Sequence, residues 1–90
     1  MLSLMEPDAV EVEVLFFARA RELAGGPSAR LRLPPGSSVE MALRRIGEEF
    51  PDLGPYLGAC RVALDETLAS GKEEVHAGSV LAVIPPVSGG

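Results

Sequence analysis

The last six residues, Pro85-Pro86-Val87-Ser88-Gly89-Gly90, set a thin acyl terminus on a stiff stem. Two prolines hold the backbone extended and have no N–H to give to a sheet. The two glycines carry no side chain, so the tip is narrow and conformationally free. Such a segment can thread a tunnel in another protein, with Pro85, Pro86, Val87 and Ser88 as the threaded stem. Its chemical group is the α-carboxylate of Gly90, ionised at neutral pH because its reference pKa is about 3.3–3.7. A carboxylate anion is a poor electrophile and becomes an acyl donor only after activation, typically by adenylation. Gly90 is the candidate reacting residue, with Gly89 its slender neighbour.

The other reactive side chains form no constellation. His76 lies between Val75 and Ala77 in a polar stretch, with no second His or paired carboxylate at ligand spacing. Cys60 opens a predicted strand and reads as a small buried residue. Ser37, Ser38 and Ser88 have no His in view, and Ser37 is accounted for as a helix cap. Asp65-Glu66 and Glu73-Glu74 are adjacent carboxylates in turns and face solvent. Gly25-Gly26 lacks the following Lys and helix of a phosphate loop. The chain is predicted to bind no metal and no cofactor.

Composition sets the same limits. Ninety residues make one small domain, 1–90, with little room for a deep active site. Apolar residues at 47% and charged residues at 23% are ordinary globular usage. A net charge of −5 argues against nucleic acid, whose phosphates need a basic face. The single Cys60 excludes a disulfide framework and suits a reducing compartment, so a cytoplasmic location is expected. No apolar run approaches the roughly 20 residues of a membrane span. Residues 1–9 read as a loose leader, in which Met5 is an alternative start.

What positions the tail is a strand-rich pattern. Val10, Val12, Val14 and Phe16 share one parity and predict a strand from Val10 to Ala18. Arg19 to Leu23 suits a helical turn, and Gly25-Gly26-Pro27 a reversal. Ala29 to Leu33 alternates again and should pair with the first strand as a hairpin. Pro34-Pro35-Gly36 breaks the chain before Ser37-Ser38-Val39-Glu40, which matches a capping box with Ser37 as cap and Glu40 reaching back. Val39, Ala42, Leu43, Ile46 and Phe50 form the apolar stripe of the helix that follows, and Pro51 stops it. Leu53 to Leu57 reads as irregular. Cys60–Leu64 and Thr67–Ala69 are short strands joined at Asp65-Glu66, 71–78 is polar loop, and Val80–Ile84 is an unbroken apolar strand suited to a sheet's middle.

The order β-β-α-β-β-β predicts an α+β β-grasp: a mixed five-stranded sheet with one main helix on one face. In it the first and last strands lie parallel at the centre. If Val12, Val14 and Phe16 face the helix, Phe17 and Ile84 point to the open face, with Leu68 on a neighbouring strand. An exposed apolar patch beside the tail is the mark of a partner surface.

Val14-Leu15-Phe16-Phe17-Ala18, Arg21-Glu22-Leu23 and the Pro85-to-Gly90 ending together resemble the MoaD/ThiS family of ubiquitin-like sulfur carriers, in particular its molybdopterin synthase branch. The resemblance spans about Val12 to Gly90. It implies that a ubiquitin-activating-like enzyme uses MgATP to adenylate Gly90, that a sulfur donor makes the thiocarboxylate, and that the large subunit of molybdopterin synthase takes in the tail. Sulfur would then pass to cyclic pyranopterin monophosphate. Phe17, Leu68 and Ile84 fall on the family's apolar partner patch, although Ile84 stands where a member of the family carries an aromatic. Leu64-Asp65-Glu66-Thr67 replaces a Val-Asn-Gln-Thr run. Two further readings share the activation step: a carrier for thiazole or tRNA thiolation, and a protein modifier that links Gly90 to lysines.

Overall fold

The computed structural model describes residues 9–86. The leader reading falls largely on residues 1–8 and the tip of the tail on 87–90; both lie outside the described residues. The elements are strand β1 (Val10–Phe16), helix α1 (Ala18–Ala24), β2 (Ser28–Leu33), helix α2 (Val39–Glu49), a 3-10 helix (Gly54–Ala59), β3 (Arg61–Leu64), β4 (Thr67–Leu68) and β5 (Val80–Ile84). The sheet order is β2-β1-β5-β3-β4, with β1 and β5 parallel and the other pairs antiparallel. This is the β-grasp arrangement that the element order predicts.

The period-two pattern decides which face is covered. Val12, Val14 and Phe16 of β1, Leu31 and Leu33 of β2, and Leu81 and Val83 of β5 are buried together with Val39, Ala42 and Ile46 of α2. Strands that carry one apolar parity must bury it against another element, and α2 supplies the matching stripe. Phe16 meets Phe50 edge to face, with centroids 5.4 Å apart at 72°.

Four expectations need correction. Ser38, not Ser37, caps α2: its hydroxyl accepts from the Met41 N–H at 3.2 Å. The buried Ser37 hydroxyl instead donates to the Pro34 carbonyl at 2.7 Å, because the Pro-Pro-Gly turn folds back over it. Glu40 does not reach back to a cap. The first N–H groups of α2 are met by loop carbonyls, Val39 donating to Glu73 and Glu40 to Gly71. The loop expected to be simply polar is thus the helix's N-terminal lid, and it delivers Val75 to the core, fully buried. Finally, the stretch expected to be irregular is a 3-10 helix begun by a proline in its first turn, anchored by the buried Leu53. Close approach permits this: a Cβ on Gly54 would stand 3.3 Å from the Gly47 carbonyl oxygen in α2.

Candidate functional site

The sheet face turned away from α2 is where exposed apolar side chains gather. Cα partners across a sheet point their side chains the same way, so register defines the rows. Leu15, Ala82, Ala63 and Leu68 form one row across β1, β5, β3 and β4. Ile84 faces Arg61 in the next row, and Phe17 follows β1 on that side. Phe17 is 47% exposed, Leu68 58% and Ile84 37%. The structure therefore leaves all three sequence-predicted patch residues exposed on the open face. It adds Leu15, Val80 and Ala82, which line a shallow groove with Phe17, Asp65 and Glu66.

Phe17 is held by its backbone at both ends. Its N–H donates to the Val83 carbonyl at 3.3 Å, and its carbonyl accepts from Ala20 at 3.0 Å and Arg21 at 3.4 Å, which makes it the N-cap of α1. Ala18 then takes φ +50°, a left-handed conformation that swings α1 off the strand. Gly25, also left-handed, closes α1 by donating to the Arg21 and Glu22 carbonyls.

The β3–β4 turn is positioned just as firmly. Asp65 and Glu66 both have positive φ, +50° and +74°, as a two-residue hairpin turn requires. Asp65 grips the start of β5: its N–H donates to the Val80 carbonyl at 2.8 Å, and its Oδ1 accepts the Val80 N–H at 2.9 Å. The sequence marked this pair only as a solvated turn. Its flanking apolar strands signal the hairpin, but nothing local reveals the grip on Val80.

The root of the tail is part of the fold. Pro85 is buried, continuing the alternation of β5, and Pro86 is exposed. Val87, Ser88, Gly89 and Gly90 lie outside the described residues.

The remaining candidates stay apart. His76 is exposed, with Nδ1 3.9 Å from Glu74 Oε2. The Cys60 sulfur lies 3.5 Å from the Tyr56 carbonyl, and burial pushes its thiol pKa up, away from the nucleophilic thiolate. Among the described residues, Glu73 is the one carboxylate with a strong shift, down to about 2. Backbone N–H groups of Ser70 (2.8 Å) and Gly71 (2.9 Å) and the Ser70 hydroxyl (3.2 Å) converge on its charged form. It ties the loop that lids α2 and takes part in no reactive cluster. Among the described residues, no three His, Cys, Asp or Glu side chains stand where they could hold a metal. No helix among them is long and apolar enough to cross a membrane.

Comparison with known proteins matches residues 14–90 to the ThiS family. A molybdopterin synthase sulfur carrier subunit of Arabidopsis thaliana is 39% identical over 85 residues, covering 94% of this chain and 88% of that protein. Among solved structures, SAMP1 from Haloferax volcanii superposes with a TM-score of 0.82 at 30% identity, covering 89% of this chain and 99% of that one. A protein–protein complex of subunits 1 and 2 of molybdopterin-converting factor from Helicobacter pylori contains a chain with a TM-score of 0.65 at 28% identity, covering 90% of this chain and 100% of that chain.

Proposed function

This chain belongs to the ThiS family, and from that premise we propose that it is the sulfur carrier of molybdopterin synthesis, working through the carboxylate of Gly90. The observation that carries the reading is the pairing of an exposed apolar face, Phe17, Leu68 and Ile84, with a Gly-Gly ending rooted at its edge by Pro85. The described residues offer neither nucleophile nor general base in a cluster, so the activating chemistry belongs to partners.

The Gly90 carboxylate oxygen attacks the α-phosphorus of MgATP on a ubiquitin-activating-like enzyme, and pyrophosphate leaves. Sulfide then displaces AMP from the acyl carbon and leaves a thiocarboxylate; a persulfide donor first gives an acyl disulfide, whose S–S bond a second thiol breaks, ending as a disulfide and releasing the same thiocarboxylate. Docked on the large synthase subunit, the tail (Pro86, Val87, Ser88, Gly89) delivers that sulfur to cyclic pyranopterin monophosphate. Water restores the carboxylate. The large subunit is supported as a partner by the Helicobacter pylori complex of subunits 1 and 2. The face away from α2 is the docking surface, since Phe17, Leu68 and Ile84 stand exposed on it.

The test is a defined mixture. With a matching activating enzyme, MgATP and either sulfide or a persulfide donor with a thiol reductant, the chain should gain about 16 Da, one oxygen exchanged for sulfur. Adding the large subunit and the pterin precursor should yield molybdopterin and return the starting mass. No gain with any activating enzyme of the same source overturns the reading. A second reading, protein modification, is favoured by the likeness to SAMP1, named in solved structures as a small archaeal modifier protein. Discharge of the activated chain onto lysines of other proteins would select it.

A further inference from the structure

The groove on the open face has an apolar floor and one acidic end. Leu15, Val80 and Ala82 form the floor, Phe17 closes one end, and Asp65 and Glu66 stand at the other. The remaining acids of this face have basic neighbours by register, Glu11 opposite Arg32 and Glu13 opposite Arg30. Asp65 and Glu66 have none: neither forms an ion pair among the described residues. Oδ1 of Asp65 is committed to the Val80 N–H, which fixes the carboxylate in place and leaves its second oxygen without a hydrogen bond among the described residues, while Glu66 lines the same groove.

We infer that the partner seated on this face lays a long basic side chain, arginine or lysine, along the groove, its aliphatic stem on Leu15, Val80 and Ala82 and its cationic head at Asp65 and Glu66. The inference rests on the docking face assigned above and names the chemistry that face selects. Such side chains bury their methylenes on apolar surface while the head seeks charge, and this groove offers both at the right separation of roles. In open water the pair would contribute little. Under a docked partner, water is excluded and the carboxylates lose hydration unless a cation replaces it, so the contact discriminates between partners. Two carboxylates at one end also suit the forked donors of a guanidinium.

The experiment measures Kd of the full-length chain for the large synthase subunit from about 50 to 300 mM salt. Asp65→Asn with Glu66→Gln removes both charges, yet Asn keeps an Oδ1 acceptor for Val80 and tolerates positive φ. Kd of this double variant should rise about tenfold at low salt, and the gap to wild type should close as salt increases. Glu66→Gln alone, which leaves the Asp65 grip intact, should show a smaller shift of the same kind. Unchanged Kd and salt slope in both variants, while Phe17→Asp still abolishes binding, would overturn the cation and leave the docking face standing. Unchanged binding by Phe17→Asp would remove the docking face, and the inference with it.

Discussion

The N–H of Phe17 donates to the carbonyl of Val83 across the β1–β5 pair, 3.3 Å apart, one residue beyond the end of β1. That bond holds the residue just past the strand against the sheet while its side chain stands 47% exposed on the open face. Phe16, its immediate neighbour, is buried against Phe50. Two adjacent phenylalanines thus face opposite ways and, on the proposed function, have opposite duties, one for folding and one for contact.

Substituting them should separate those duties. Phe17→Asp should weaken binding to the large subunit strongly while changing the isolated chain's stability by less than about 0.5 kcal/mol. Phe16→Ala should cost about 3–5 kcal/mol. Thermal melts of each variant, set beside its Kd, check the contrast. A large fall in Tm for Phe17→Asp would make Phe17 a core residue.

Ala18→Gly should stabilise the chain by up to about 1 kcal/mol. A left-handed alanine costs roughly 1–2 kcal/mol, and glycine relieves most of that at φ +50°. The offset is the greater entropy of glycine in the unfolded chain. Denaturant midpoints decide it, and a clear loss of stability would show that the alanine methyl makes a contact worth more than the strain.

The two glycines where α2 meets the 3-10 helix should respond in opposite directions. A Cβ on Gly47 meets Gly54 Cα at 3.5 Å, an ordinary contact, and helix propensity improves by about 1 kcal/mol, so Gly47→Ala should be neutral or stabilising. A Cβ on Gly54 meets a backbone oxygen at 3.3 Å, and Gly54→Ala should destabilise by about 1–3 kcal/mol as the two helices are pushed apart. Equal effects in chemical unfolding would refute this packing account.

Acid should loosen the lid on α2. The Glu73 pKa is held at about 2 against an ordinary 4.5, so its stabilising contribution is full above about 4.5 and fades as pH falls toward 2. Glu73→Gln should therefore melt lower than wild type at pH 7, with the difference narrowing through that window. Amide exchange of Val39 and Glu40, which donate to the loop carbonyls, should quicken in the variant.

Removing Gly90 should abolish the mass gain in the activating mixture and leave the melt unchanged. Cys60→Ala should gain sulfur as wild type does. An inactive but folded Cys60→Ala, together with an active Gly90 deletion, would move the chemistry from the terminus to the thiol.

Most of this architecture was legible because its signals are periodic and local. The alternation of Val10 to Phe16, the stripe from Val39 to Ile46 and the apolar run Val80–Ile84 each state their own geometry, and parity alone placed Phe17 and Ile84 on the open face. What escaped depends on distant partners. The cap fell on Ser38 because the Pro34 carbonyl takes the Ser37 hydroxyl, a fact settled by how the Pro-Pro-Gly turn folds. Val75 is a lone valine in a charged stretch, drawn into the core by a loop whose carbonyls serve α2. The grip of Asp65 on Val80 spans fifteen residues and leaves no local pattern.

The burial of Pro85 at the end of β5 has a mechanical consequence. A pull on the tail is transmitted straight into the central strand, which is bonded to β1 on one side and β3 on the other. Those bonds lie across the line of pull, so they must yield together in shear instead of opening one at a time like a zip. If a partner draws on the terminus, as the proposed function has it, the load therefore falls on the most resistant direction of the sheet.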